Sequence, residues 1–183
     1  MPYKFLYERS DTWLQRHEAL ELFGFSLLLL TLPFIIPGPQ FITGTLVNAI
    51  LILSALHLRG AQLMPIIMLP SIAVYVTGYI FGSASPALIY IIPAIWLGNS
   101  VLVFGMKYLH VHKGWGYARA LLVSAAAKAA ILFASAYALF TGNLIPQAIL
   151  SAMGVIQLAT ALMGGALAYS VAGIMSACLR SRP

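Results

Sequence analysis

Along this chain, long apolar runs alternate with short interruptions built from proline, glycine or a single basic residue. A helix needs about 20 mostly apolar residues to cross a bilayer, and the runs have that length. The first is expected over 20–37, from Leu20 through Ser26-Leu27-Leu28-Leu29-Leu30 to Pro37, where Pro37-Gly38-Pro39 forces a turn. The second covers 41–58 and stops at Arg59-Gly60. A third covers 62–81, with Pro65 and Pro70 inside it, and Gly82-Ser83-Ala84-Ser85-Pro86 breaks the chain again. The fourth runs over 87–106 and the fifth over 118–140, joined by the polar stretch Lys107–Tyr117. Thr141-Gly142-Asn143 makes the next turn. The last apolar stretch, 146–178, is too long for one crossing and is expected to divide into an outer segment at 146–153 and a span from Gly154 to Cys178. The fold class that follows is all-α: a polytopic membrane bundle of six transmembrane helices over 20–178. An amphipathic segment (1–19) precedes it and a short tail (179–183) ends it.

Composition supports the same architecture. Of 183 residues 61% are hydrophobic, 8% are charged, and the mean hydropathy is +0.94. A soluble domain carries about 25% charged residues. All four acids (Glu8, Asp11, Glu18, Glu21) fall in the first 21 positions, so the remainder cannot build a water-facing shell. Lys and Arg collect on the cytoplasmic side of membrane proteins. Six spans with both termini inside place Lys4, Arg9, Arg16, Arg59, Lys107, Lys113, Arg119, Arg180 and Arg182 in cytoplasmic segments and no cation in the outer loops. The N-terminal 3–18, mixing Tyr3, Phe5, Leu6, Tyr7, Trp13 and Leu14 with both charge signs, is expected to lie along the membrane interface. The net charge of +6 is spread singly between apolar runs, which is an anchoring pattern and not a nucleic-acid patch. A single cysteine, Cys178, excludes a disulfide framework and a thiolate zinc site.

Polar groups at hydrocarbon depth mark the candidate site. They are Asn48 in span two, Trp96 and Asn99 in span four, Lys128 in span five, and Gln157 and Thr160 in span six. Lys128 is the sharpest of them, because a cation at the centre of a spanning helix costs about 2.5–3.5 kcal/mol and no span contains an acid. It must shed its proton, hydrogen-bond to carbonyls or to amides such as Asn48, Asn99 or Gln157, or meet an anionic ligand. The alanines around it favour an interior position. Asn48, Asn99 and Gln157 have an ordinary use as interhelical hydrogen-bonding groups. Tyr75, Tyr79, Tyr90, Trp96 and Tyr137 lie in the outer halves of their spans, where such residues form interface belts. A subset, Tyr90, Trp96 and Tyr137 among them, could face inward and line an outward-opening pocket. The small residues of span six (Ala161, Gly164, Gly165, Ala168, Ala172) make a smooth face for close helix packing. His110 and His112 have no third metal ligand near them in sequence and are read as a solvated loop, with no metal or cofactor expected.

No HExxH, GxSxG, aspartate pair or Walker loop occurs, so the chain is not expected to be an enzyme or to hydrolyse nucleotide. Active transport would need an external motor.

Three stretches carry a family resemblance: Thr43-Gly44-Thr45-Leu46-Val47-Asn48-Ala49; Ile92-Pro93-Ala94-Ile95-Trp96-Leu97-Gly98-Asn99; and Met153 through Gln157 and Thr160 to Gly164-Gly165. With Lys128 between the second and third, the chain over 20–175 resembles the substrate-binding (S) components of energy-coupling factor (ECF) transporters, in a poorly characterised bacterial subgroup. The resemblance implies capture of a small micronutrient, often a vitamin or its precursor, at the outer side of the bacterial plasma membrane. It further implies docking on a transmembrane coupling protein with two ATPases. The polar positions it carries over are Asn48, Asn99, Lys128, Gln157 and Thr160. Span one is leucine-rich and lacks the Ala-x-x-x-Ala docking pattern of many family members. A cationic pocket without acids favours an anionic or carboxylate-bearing solute. The alternative is a non-catalytic structural or regulatory subunit of a larger membrane complex.

Overall fold

In the computed structural model, residues 12–36 and 38–180 are described, so the expected interfacial segment up to residue 11 and the tail from 181 lie outside them. Among these residues seven α-helices follow one another: α1 (Thr12–Ile35), α2 (Gln40–His57), α3 (Leu63–Thr77), α4 (Leu88–Met106), α5 (Tyr117–Thr141), the short α6 (Gln147–Ala152) and α7 (Val155–Arg180). Six helical stretches are long and apolar enough to cross a membrane, and no strand occurs among the described residues. The protein is therefore a helical membrane bundle.

Several boundaries differ from those expected, each for a local reason. Helix α1 continues without interruption from Thr12, so residues 12–18 are its first turns and not a separate element. Helix α3 ends at Thr77, four residues short of the expected span, because Gly78 adopts the left-handed conformation (φ +67°) that few side chains tolerate. Gly82 is left-handed as well (φ +52°) and leads through a tight 3₁₀ stretch, Gly82–Ala87, into α4. Helix α4 does not give way to a loop at Lys107: a π-helical turn, Lys107–His112, prolongs it. His110 is thereby ordered, its Nδ1 2.8 Å from the Trp115 carbonyl oxygen and its ring edge-on to Tyr117, which corrects the reading of a solvated loop. The division of the last apolar stretch into α6 and α7 agrees closely with expectation.

Lipid tails are as apolar as the helices, so close backbone approach, not exclusion from water, holds such a bundle together. Helix α2 packs extensively on α7 and α4 on α5. At the first seam, a Cβ on Gly164 would lie 2.6 Å from the Thr45 carbonyl oxygen and 2.8 Å from Asn48 Cβ. At the second, Gly98 faces Leu132 and Gly105 faces Ser124.

Two apolar cores result. The larger, with Leu29, Leu51, Ile52, Leu63, Ile66, Leu102, Met106 and Ala125, occupies the end of the bundle that carries Arg59, Lys107 and Lys113. The smaller, with Leu88, Ile91, Leu132, Ala136, Ile149 and Met153, occupies the opposite end.

The basic end is also tied by polar contacts. Glu18 meets Arg59 (Oε1–Nε 3.4 Å) and Glu21 lies 3.5 Å from His57 Nδ1. Lys107 is buried and its ammonium donates to the Ala55 and Leu58 carbonyl oxygens at the C-terminus of α2. Ala55 lies in the last turn of α2 and Leu58 is its C-cap, where carbonyls find no partner within the helix. Lys107→Met is expected to destabilise the bundle by about 1–3 kcal/mol, the range for stranding a buried acceptor. Thermal unfolding in detergent checks this, and Lys107→Arg should recover most of the loss.

Candidate functional site

Lys128 lies near the middle of α5, one turn from Ala125 of the larger core and one turn from Leu132 of the smaller, so it marks the layer where the two cores meet. It is only 2% exposed. An ammonium group donates three hydrogen bonds and accepts none, and that asymmetry orders its surroundings. Lys128 Nζ donates to Asn48 Oδ1 at 2.6 Å and to Asn99 Oδ1 at 2.8 Å. With both amide oxygens turned to the lysine, both Nδ2 groups must point away and find acceptors of their own. Asn48 Nδ2 donates to Thr160 Oγ1 (3.2 Å) and Asn99 Nδ2 to the Ile67 carbonyl oxygen (3.0 Å). Thr160 Oγ1 donates in turn to the Gln157 carbonyl oxygen (3.2 Å). Pro70 lacks the N–H that the Ile66 carbonyl would accept, which loosens the helix ladder at the turn that holds Ile67. One lysine thus links α2, α3, α4, α5 and α7.

Magnitudes show why the arrangement is tenable. Hydrogen bonds to a charged group contribute about 1.5–3 kcal/mol each, so two of them offset the roughly 2.5–3.5 kcal/mol that a cation costs at that depth. They solvate the charge without neutralising it. No acidic side chain follows Glu21, and the third ammonium donor has no protein acceptor among the described residues.

That donor adjoins a cavity. Its volume is ≈ 90 Å³, several times the roughly 10–15 Å³ that one water needs. Asn48, Asn99 and Lys128 form its floor; Val47, Val74, Leu88, Ile92, Ile95 and Met153 contribute apolar wall; Gln157 stands to one side. Gln40, at the start of α2, and Ile80 and Phe81, between the two left-handed glycines, border it at the end of the bundle opposite the basic one. Below Lys128 the larger core closes the path toward the basic end. Gln40 Nε2 donates to the Ala152 carbonyl oxygen (3.1 Å), tying the mouth of α2 to α6.

No family model, curated protein or solved structure matches this chain. The site therefore rests on its own geometry.

Of the residues singled out in the sequence, Asn48, Asn99, Lys128 and Gln157 line the cavity. Thr160, 1% exposed, stands behind Asn48 and orients it. Trp96 is turned sideways: its indole N–H donates to Ser71 Oγ (2.8 Å), and Ser71, not Trp96, reaches the cavity. Tyr90 and Tyr137 do not belong to the site. They are 53% and 56% exposed on the outside of the bundle, as are Tyr75 and Tyr79, at the level where tyrosine forms an interface belt. Their position in the outer halves of the spans is shared by wall and surface residues alike, and only the rotation of each helix separates the two.

Gln40, Ser71, Ile80, Phe81 and Met153 were not anticipated. Gln40 was marked only by being a polar residue directly after Pro39. Ile80 and Phe81 were counted within span three, from which Gly78 removes them. Among the described residues no three His, Cys, Asp or Glu side chains gather to hold a metal ion.

Proposed function

We propose that this protein is the membrane-embedded, non-catalytic substrate-binding component of an ECF-type uptake system, capturing a small solute from the outer side of the bacterial plasma membrane. The observation that carries the reading is the cavity at the non-basic end of the bundle, closed at its inner end on Lys128. Under the positive-inside rule the end with Arg59, Lys107 and Lys113 faces the cytoplasm, which turns the cavity mouth outward. The three stretches that resemble S components, far apart in sequence, supply Thr43, Gly44, Val47 and Asn48, then Ile92, Ile95 and Asn99, then Met153 and Gln157 to the lining of this one cavity. Delivery inward requires the bundle to move as a body or to open its larger core. With no nucleotide-binding motif in the chain, that work falls to a coupling protein and two ATPase partners.

One observation favours a second reading. The hydrogen bonds through Lys128 clasp five helices, as a purely structural subunit would require. Native mass spectrometry of the protein extracted gently from its own membrane separates the two. A bound small molecule is expected, with ATPase partners in the mildest preparations. A bare protein, or one carrying a non-ATPase membrane partner, would transfer the conclusion to the structural subunit.

A further inference from the structure

We infer that the solute is a small monocarboxylate with an uncharged, mainly apolar body and one neutral hydrogen-bonding group. The inference rests on the solute-capture reading above and assigns the chemical class. It comes from three features of the cavity taken together.

The first is charge. Lys128 is the only ionisable group among the lining residues, and every acid of the chain lies in the first 21 positions. Glu18 and Glu21 are engaged with Arg59 and His57 at the other end of the bundle. A cationic or zwitterionic solute would bring an ammonium into a cavity that offers it no carboxylate, beside a lysine that repels it. One negative charge is what a single buried cation can balance.

The second is donor geometry. Two of the three Lys128 donors are held by Asn48 Oδ1 and Asn99 Oδ1, which leaves one strong donor for the ligand. A carboxylate oxygen fills that position. A phosphate dianion, with more charge and more acceptor oxygens, would remain largely unsatisfied, because phosphate sites gather several N–H donors or an arginine fork. A further donor in the lining is Gln157, whose amide N–H makes only a long contact to Met153 Sδ (3.8 Å). Its amide thus offers both a donor and an acceptor to a neutral group on the ligand.

The third is the wall. Val47, Val74, Ile92, Ile95, Leu88 and Phe81 present hydrocarbon between the floor and the mouth. A bare inorganic anion would satisfy the floor and leave this wall facing water. At ≈ 90 Å³, the cavity is smaller than the roughly 150 Å³ that accepts benzene in an engineered apolar cavity. The buried part of the ligand is therefore about the size of a short branched chain or a small ring, and any larger group extends past Phe81.

The test is a paired panel on the intact purified protein in detergent: small monocarboxylates with branched or ring bodies, each beside its primary amide and its amine of the same skeleton, with inorganic phosphate and chloride as further probes. Thermal stabilisation is the readout, together with the mass and charge class of any solute that stays bound in native mass spectrometry. At least one carboxylate is expected to bind roughly tenfold or more tightly than its amide, the scale of one charge-assisted bond, with the amine and phosphate giving no stabilisation. In Lys128→Gln, which keeps an amide donor for Asn48 and Asn99 but no charge, the carboxylate and amide should become equivalent. A panel in which amides equal or exceed carboxylates throughout, or a retained solute that is a cation, zwitterion or phosphate ester, overturns the monocarboxylate and leaves solute capture standing. Absence of any retained solute and of any stabilisation overturns both.

Discussion

Replacing Lys128 by Met is expected to abolish solute retention while the bundle stays folded. Loss of one charge-assisted hydrogen bond to the ligand corresponds to about 1.5–3 kcal/mol, or roughly 10- to 100-fold in affinity. The structural effect is smaller because opposing terms meet. Asn48 Oδ1 and Asn99 Oδ1 lose their donor, at about 1–3 kcal/mol for each acceptor left dry, but both border the cavity and water can reach them. Removal of the cation also relieves the roughly 2.5–3.5 kcal/mol of placing it at mid-membrane, and Met fills similar space with a flexible chain. Ligand retention by native mass spectrometry and the detergent Tm, measured on the same preparation, separate the roles. Unchanged retention would remove Lys128 from the site. Collapse of the bundle would show that the lysine serves chiefly as a clasp.

Gly164→Ala is expected to be the most damaging single-methyl addition in the chain for both fold and site. The added Cβ would come to 2.6 Å from Thr45 O and 2.8 Å from Ala49 N. Both are backbone atoms of α2 that cannot swing aside, so α2 and α7 must separate. Overpacking of this kind costs about 1–3 kcal/mol, and the 3.2 Å bond from Asn48 to Thr160 crosses the same seam. Lower Tm and weaker solute retention should therefore appear together. Gly173→Ala, on the same helix with nothing within 4 Å of the new Cβ, is the control and should leave retention unchanged and the Tm equal to or slightly above the parent, since alanine favours a helix over glycine. Equal behaviour of the two variants would mean that close α2–α7 contact at Gly164 does not hold the bundle together.

The six crossings were legible because each is a local property: run length, and an interruption by proline, glycine or one cation. Boundaries were less so. Span three was carried to residue 81 because Tyr79-Ile80-Phe81 is as apolar as the helix before it, whereas the backbone of Gly78 turns the chain first. The prolongation of α4 through His112 was hidden because polar composition does not distinguish a loop from a water-facing helical turn.

Within the site, the residue types were legible, and Asn48 and Asn99 were among the partners expected for Lys128. That Gln157 is not one, and that Thr160 and the Ile67 carbonyl take the asparagine Nδ2 groups, was not legible. A lysine in a run of alanines declares itself on cost alone, and the asparagines and Gln157 declare themselves by polarity. Tyr90 and Tyr137 carried the same signal as genuine wall residues, yet the rotation of α4 and α5 turns them outward. The walls around Val74, Ile95 and Phe81 carry no mark at all, because in a membrane chain a residue facing lipid and one facing a cavity are equally apolar.

By itself, then, the sequence determined that the chain is a six-span bundle with a buried cation that no acid can neutralise, since both follow from how costly polar groups are in hydrocarbon. Only the tertiary structure decided that Asn48 and Asn99 take two of the lysine's three donors and that the third adjoins a cavity opening at one end. Those facts depend on how helices remote in sequence are rotated and spaced, and the spacing is set by close contacts such as Gly164 against α2, which no local pattern records.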